Sequence, residues 1–360
     1  MGRFLFSFLF SIIITAIQAQ DTTDQHTPGK SGLLVLPAIF YSPETSWGFG
    51  VAGIQYFRMK GDSVSKPSNV QSVLIYTLEK QVLITFPYNL FFNKEKYWLK
   101  GEWAYYIYPY EYYGIGTDVD LGNDGYETYT ANFLRMETNA LIQARKDLYV
   151  GGTMFFDNYF EIDINPTGAL QSQNIRGTEA GKLLGLGALM ILDKRNNIFS
   201  PSGGYYLESR VLRYEDQMVG DYAFTDLYVD MRKYFQPADK WETAFQVYHQ
   251  SVLGEPPFYN YALLGGGKIM RGYYKGGYRD HHQTVVQTEL RRYVTNRIVA
   301  SAFGGLGSVT GSFGAYDKVL GSYGVGIRYE INTAEKLRIR LDYARGANTS
   351  GFYININEAF

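Results

Sequence analysis

Alternation of apolar and polar residues is the feature that most restricts how this chain can fold. Residues 337–343 place Leu, Ile, Leu and Tyr on one face of an extended segment, and Arg338, Arg340 and Asp342 on the other. Residues 226–232 repeat this arrangement. A period of two indicates β-strands with one polar face. Beyond the N-terminal twenty residues, no stretch approaches the ~18 consecutive apolar residues of a helical membrane span, so the sequence predicts an all-β fold.

Composition distinguishes the two folds that such strands can form, a soluble sandwich and a membrane barrel. A soluble β-sandwich also alternates, because it buries one face and solvates the other. Aromatic residues, however, make up 17% of this chain, with 33 Tyr and 23 Phe beside 39 Gly. Membrane barrels concentrate aromatic residues in girdles at both bilayer interfaces and use segments of about ten residues. The sequence therefore predicts an antiparallel transmembrane β-barrel. A net charge of −1 argues against a nucleic-acid partner, and the absence of cysteine excludes disulfides and a lipid-anchored N-terminal cysteine.

The N-terminus indicates export from the cytoplasm. Arg3 precedes an apolar run over residues 4–17, and Ala19 is a plausible cleavage position. The run is shorter than the ~20 residues that a spanning helix needs, and polar residues follow it. We predict location in the outer membrane of a Gram-negative cell and three parts: a signal peptide at 1–19, a short periplasmic segment at 20–31 and an outer-membrane barrel domain at 32–360.

The alternating segments can be counted. An even number is expected for a single-chain bacterial barrel, and sixteen are found. Fourteen remains the alternative, because the segments that contain Pro37 and Pro87 could be edge pieces or bulges. The predicted strands are 34–41, 46–58, 70–79, 81–91, 96–107, 130–142, 147–158, 181–193, 203–214, 222–235, 240–252, 283–294, 297–307, 319–330, 335–345 and 351–359.

The last predicted strand ends on an aromatic residue. One of its faces is apolar, interrupted only by Glu358, and it carries Phe352, Ile354, Ile356 and Phe360. A terminal strand of this kind resembles the signal that the cell's own barrel-insertion machinery reads. We therefore predict these four residues as a C-terminal insertion signal and that machinery as a partner.

One loop carries an arginine between glycines. It contains Met270, Arg271, Gly272 and Tyr273 and follows three consecutive glycines. Because glycine has no side chain, such an arginine can approach other backbone closely. A buried arginine needs a carboxylate, and Glu289 lies on the next alternating segment. The sequence thus predicts a long loop folded back into the polar lumen, with Arg271 held by Glu289.

On these residues the chain resembles the bacterial surface antigen family, the BamA/TamA-type outer-membrane barrels. That family has sixteen strands, and its sixth outer loop carries an Arg-Gly-aromatic motif inside the lumen. Here the motif falls between the eleventh and twelfth predicted strands, which is the sixth outer loop. Shorter similar pieces lie at residues 112–116, 193–203 and 340–343. The resemblance covers essentially the whole chain after the signal peptide.

The resemblance implies two carboxylates around the loop arginine, on strands twelve and thirteen. Glu289 matches the first. The second sits in a Phe-x-Asp pattern in the family, but here the residues are Phe303, Gly304 and Gly305. The resemblance therefore implies either a weaker anchor or a substitute acid such as Asp342.

Family members that assemble or translocate proteins carry periplasmic POTRA repeats ahead of the barrel. Residues 20–31 leave no room for one, so we expect a barrel-only member.

Two functions then stay open. One is assistance in inserting or transporting polypeptide or lipid through a weak seam between the first and last strands, where Pro37, Gly346 and Gly351 lie. The other is a passive or gated solute channel. Its lumen would be lined by charges that include Arg291, Arg328, Arg338 and Arg340.

Enzymatic activity, a metal and a cofactor are not predicted. Adjacent His281 and His282 would point to opposite sides of an extended segment, which makes them a poor metal pair, and His249 is isolated in sequence. No Ser/His/acid spacing is evident. Outer-membrane lipid and lipopolysaccharide are expected partners, whereas a client protein or a second copy of the chain is left open.

Overall fold

The computed structural model describes residues 32–60, 65, 67–119, 121, 125–217, 219–316, 318–333 and 336–360. The predicted signal peptide at 1–19 and the predicted segment at 20–31 lie outside the described residues. No helix in the described part of the chain is long and apolar enough to cross a membrane.

Sixteen antiparallel strands close into one barrel, which confirms the predicted fold class and the higher of the two strand counts. Each barrel strand pairs with the next barrel strand along the chain, so that β11 pairs with β14, and β1 closes on the last strand, β18. The barrel strands are β1 Gly32–Ser42, β2 Ser46–Phe57, β3 Ser68–Thr77, β4 Val82–Phe92, β5 Tyr97–Tyr112, β6 Glu127–Arg145, β7 Leu148–Asp163, β8 Gly181–Asp193, β9 Gly204–Tyr214, β10 Phe224–Phe235, β11 Trp241–Gly254, β14 His282–Tyr293, β15 Ile298–Thr310, β16 Leu320–Asn332, β17 Leu337–Gly346 and β18 Thr349–Ile356.

The long connection between β11 and β14 has secondary structure of its own. Two short strands, β12 (Ala262–Leu264) and β13 (Tyr278–Asp280), pair with each other outside the barrel sheet. One further connection, between β7 and β8, carries the single-turn helix α1 (Ala169–Ser172). Neither element was predicted, because three or four residues are too few to show a period.

Both prolines that left the strand count open lie inside strands. Pro37 pairs with Val51 of β2. In β4, pairing with β3 is interrupted beside Pro87, between the pairs Val70–Tyr88 and Val73–Thr85. Proline has no N–H to donate to a ladder, so it is accommodated where one side of the strand is unpaired or irregular.

Strands β5, β6 and β7 extend further towards the outside than predicted. β5 continues to Tyr112 instead of residue 107. The extension is lined by tyrosines that face the lumen and stack on one another: the ring centroids of Tyr108 and Tyr110 are 4.1 Å apart, and those of Tyr110 and Tyr129 are 5.3 Å apart. Aromatic stacking along β5 and between β5 and β6 stabilises these ends.

The alternation sorts side chains between lumen and lipid. In β14, Val285, Gln287, Glu289 and Arg291 are buried inside the barrel, whereas the residues between them point outwards. Part of the lumen is filled by an apolar cluster centred on Phe258, with aromatic side chains from β5, β6, β7, β9 and β10.

The C-terminus corrects one prediction. β18 ends at Ile356, and Asn357 adopts a positive φ of 69°. Phe352 and Ile356 are exposed on the outer wall, but Phe360 is buried on the lumen side with Tyr234 and Ala244. Phe360 is therefore not on the apolar outer face of β18. The chain turns inwards there because Glu358 joins a group of lumen arginines.

Candidate functional site

The sixth outer loop brings its tip into the lumen. After β12, Gly265 and Gly266 adopt φ values of 108° and 97°, which favour glycine. At the tip, Met270 has a φ of 51° and Gly272 a φ of 104°. Met270, Arg271 and Tyr273 are almost fully buried. The backbone thus turns twice in the left-handed region to place the motif against the inner wall of β14–β18.

Arg271 lies between two carboxylates and above an aromatic ring. Its Nη2 atom donates to Glu289 Oε2 at 2.5 Å, and its Nη1 atom donates to Asp342 Oδ2. The guanidinium carbon lies 3.4 Å from the centroid of the Phe303 ring. The structure therefore brings together the loop arginine and both acids that the sequence singled out.

The position of the missing family carboxylate is occupied by other atoms. A Cβ built on Gly305 would lie 2.9 Å from Gln287 Cβ and 3.2 Å from Met270 Sδ. Met270 thus packs where a larger residue would stand, and its backbone N–H donates to Gln287 Oε1 at 3.3 Å. Asp342, from β17, supplies the second carboxylate from another direction.

The rest of the motif is fixed through its backbone and its tyrosine. Gly272 N–H donates to Tyr353 Oη at 2.9 Å. Tyr273 donates its hydroxyl to the Gly321 carbonyl at 2.8 Å and accepts from Ala347 N–H at 2.9 Å. These bonds connect the loop tip to β16, to the β17–β18 turn and to β18.

Arg271 belongs to a larger ionic network. Arg328 Nη2 donates to Glu289 at 2.8 Å and its Nη1 to Asp342 at 2.6 Å, so this side chain bridges the two acids. Arg291 donates to Glu289 at 2.8 Å. The network consists of Arg271, Arg291, Arg328, Arg338 and Arg340 with Glu242, Glu289, Glu330, Asp342 and Glu358, all of them buried or nearly so.

Three of those acids were not predicted as partners. Glu242 and Glu330 contact Arg338 at 3.1 and 3.2 Å. Glu358 contacts Arg338 at 2.9 Å and Arg328 at 3.1 Å. The sequence carried one signal for Glu358, namely its interruption of an otherwise apolar face.

Electrostatics in the network favour the ionised form of Glu358. Burial raises the pKa of the Glu358 carboxyl, but Arg291 and Arg328 lower it by more, so that the pKa is about 2. An arginine removed from bulk water is tolerated when its donors are paired with carboxylates, as those of Arg328 and Arg338 are here. Removing one member would leave several buried charges without compensation.

Comparison with known proteins identifies the family. The model for the Omp85 superfamily domain matches residues 72–360. The chain belongs to the Omp85 superfamily. A comparison with curated protein sequences gave no match.

Solved structures of Omp85-type barrels share the fold. BamA from Haemophilus ducreyi lacking POTRA domains 1–3 aligns with a TM-score of 0.63 at 12% identity, covering 91% of this chain and 70% of that one. CdiB from Acinetobacter baumannii gives 0.58 at 14%, covering 91% and 66%. CdiB from Escherichia coli gives 0.56 at 10%, covering 93% and 64%. This chain thus spans about two thirds of the length of these proteins. It is an integral barrel of the Gram-negative outer membrane.

The seam of this Omp85 barrel, where β1 meets β18, is held by very little backbone pairing. Between the described residues of β1 and β18 there is one register pair, Tyr41 with Ile354. On its other side, β18 pairs with β17 along its whole length, from Ile356 with Ile339 to Thr349 with Gly346. Closure of the barrel therefore depends on far less backbone pairing than any neighbouring pair of strands.

In the described residues, no group of three or more His, Cys, Asp or Glu side chains could hold a metal ion. The rings of His281 and His282 are 6.5 Å apart. His249, which is isolated in sequence, lies near His282 in space, since both pack against the ring of Phe313.

Proposed function

We propose that this protein assists the insertion or transport of polypeptide or lipid through the seam between β1 and β18. The observation that carries the proposal is the single register pair at that seam. Backbone N–H and C=O groups that lack a partner strand can pair with an incoming extended segment. A short seam also opens at lower cost than a fully paired one.

Residues on both sides of the seam support this function. Pro37 cannot donate a ladder hydrogen bond from β1. On β17 and β18, Gly346 and Gly351 add no side-chain packing across strands. The opening part of the barrel in this proposal is the seam; the loop motif and its network would hold the adjacent strands β14–β18 as a fixed wall.

A disulfide across the seam tests the proposal. Tyr41 and Ile354 are register partners, so their Cα atoms fall within the range that a disulfide spans. The chain has no cysteine of its own, so the Tyr41→Cys/Ile354→Cys variant forms one defined bridge. We expect oxidation to abolish complementation of a deletion strain, scored by outer-membrane protein and lipid content, and reduction to restore it.

The matched control places the same bridge in a fully paired ladder. Val51 and Leu74 are register partners in β2 and β3. The Val51→Cys/Leu74→Cys variant should keep its activity when oxidised. Full activity of the oxidised seam variant would rule out transport through an opening seam.

The channel alternative makes a different prediction in planar bilayers. The apolar cluster around Phe258 and the ionic network both lie inside the lumen and obstruct it. We therefore expect small, flickering currents from the purified barrel. Large and steady currents would instead favour a passive pore lined by the lumen charges.

A further inference from the structure

A serine and two histidines meet on the outer wall of the barrel. On β11, Phe245 and Leu253 are exposed to the outside, and residues of the same parity share their face. His249 and Ser251 have that parity. On β14, Val286 is exposed, and His282 and Thr284 lie on its face. The register places His249 opposite Thr284 and Ser251 opposite His282.

The four side chains form one hydrogen-bonded chain. Ser251 Oγ lies 2.9 Å from His249 Nε2, and His249 Nδ1 lies 2.9 Å from Thr284 Oγ1. Ser251 Oγ also lies 2.8 Å from His282 Nδ1. Two proton arrangements satisfy all three contacts, and they run in opposite directions along the chain. In the one that activates the serine, His249 Nδ1–H donates to Thr284, Ser251 O–H donates to His249 Nε2, and His282 Nδ1–H donates to Ser251.

That arrangement is the geometry of an activated serine. A serine hydroxyl becomes a nucleophile when an imidazole nitrogen within hydrogen-bond reach accepts its proton, and a third group must hold the imidazole in the correct tautomer. His249 is the base and Thr284 the orienting group. His282 adds an N–H beside the nucleophile, where negative charge develops on a carbonyl oxygen under attack.

An apolar groove lies further along the same outer wall. It has a volume of about 570 Å³, within the range of small-molecule sites, and Phe245, Val286, Leu306 and Tyr323 form its sides. Gly304 and Gly321 also line it, and because glycine has no side chain, they leave space between the larger residues. Val286 follows Thr284 by two residues, so the groove begins about 7 Å from the cluster along β14.

The location of this cluster on the barrel indicates a lipid as its substrate. Ser251 lies near the outer end of β11, which leads into the sixth outer loop, and so at the level of the outer leaflet. Phe313, from the β15–β16 connection, is 74% exposed and packs edge-on against both imidazoles, with ring centroids 5.6 and 5.7 Å away. A polar cluster at the headgroup level above an apolar groove fits a molecule with an ester near its headgroup and an acyl chain below.

We propose that this barrel hydrolyses carboxylic acyl esters of outer-leaflet lipids, with Ser251 as nucleophile and His249 as base. Ser251 Oγ bonds to the ester carbonyl carbon while its proton passes to His249 Nε2. Collapse of the tetrahedral intermediate breaks the ester C–O bond, and His249 returns the proton to the leaving alcohol. Water then attacks the acyl-serine with the same base, which releases the fatty acid and regenerates the serine. Glycerolipids and acylated saccharide lipids carry the same ester.

This activity is independent of the seam and departs from the sequence-based expectation of no enzyme. That expectation considered spacing along the chain, and His249 and Ser251 are separated from Thr284 and His282 by the whole sixth loop. Only the register of β11 against β14 brings them together.

The experiment measures hydrolysis and serine reactivity on the purified full chain in detergent. Fatty-acid release is followed by mass spectrometry from phosphatidylethanolamine vesicles and, separately, from purified lipopolysaccharide; a fluorophosphonate probe reports the reactive serine. We expect release from at least one lipid and labelling by the probe, both abolished in Ser251→Ala. His249→Ala should lower the rate by about 10²- to 10⁴-fold. The lipid that is cleaved shows whether the ester comes from a glycerolipid or from lipopolysaccharide.

A matched control is available on the next strand. Ser308 is as buried as Ser251, lies on the same outer face in register with Thr284, and bonds to the Lys318 carbonyl. Ser308→Ala should retain full release and labelling. Thr284→Val should lower kcat with KM unchanged, and Thr284→Ser should restore it. Release by the wild-type protein no faster than by Ser251→Ala, on both lipids, would overturn the proposal.

Discussion

Replacing Glu289 with alanine is expected to destabilise the barrel by about 3–5 kcal/mol and to release the tip of the sixth loop. Glu289 is fully buried and accepts hydrogen bonds from three arginines, Arg271, Arg291 and Arg328. Its removal leaves these charges in the lumen with fewer carboxylates than they need. Asp342 retains its contacts with Arg271 and Arg328, so the barrel should still assemble.

Two measurements check this result. Urea unfolding, followed by the shift in electrophoretic mobility of the folded barrel, should show a lower midpoint. Trypsin should cut at Lys268 and Lys275, on either side of the motif, more rapidly than in the wild-type protein. Glu215→Ala is the control, since Glu215 pairs with Arg213 on the exposed surface and such pairs contribute less than about 1 kcal/mol. Equal midpoints and equal cleavage for both variants would contradict an anchoring role for Glu289.

The strands could be predicted from sequence because lipid and lumen impose opposite chemistry on successive residues. All sixteen predicted segments correspond to barrel strands, including those with Pro37 and Pro87. What the pattern did not show is where pairing stops. The outer ends of β5 and β6 are held by stacked tyrosines that face the lumen, and an amphipathic side chain such as tyrosine does not mark one face of a strand in the sequence.

The loop and its acids could be predicted from the sequence by residue type, because few side chains can pair with a glycine-flanked arginine. The inward turn at Asn357 could not, since alternation alone continues β18 to Phe360 and leaves Glu358 on a lipid face. Charge decides the outcome there: Glu358 gains contacts with Arg291, Arg328 and Arg338 only if the strand ends first. Long-range pairing of this kind has no local signature.

Backbone geometry, independently of charge, limits how the loop can sit. Gly272 has a φ of 104°, and a Cβ at this position would lie 2.8 Å from Arg345 C and 2.9 Å from Gly346 N. These are backbone atoms of β17, which cannot rotate aside. The motif therefore requires glycine for conformation and for space at once.

Gly272→Ala is accordingly expected to displace the loop tip although every charged group is retained. The left-handed backbone costs about 1–2 kcal/mol with a side chain present, and the clash with β17 adds about 1–3 kcal/mol. Trypsin cleavage at Lys268 and Lys275 should accelerate, and the urea midpoint should fall. Gly314→Ala separates the two causes, because Gly314 has a φ of 79° but no atom within 4 Å of a built Cβ. That variant carries only the conformational cost. If Gly272→Ala left the loop as resistant to trypsin as Gly314→Ala does, contact between the motif and β17 would not be what holds the loop inside the lumen.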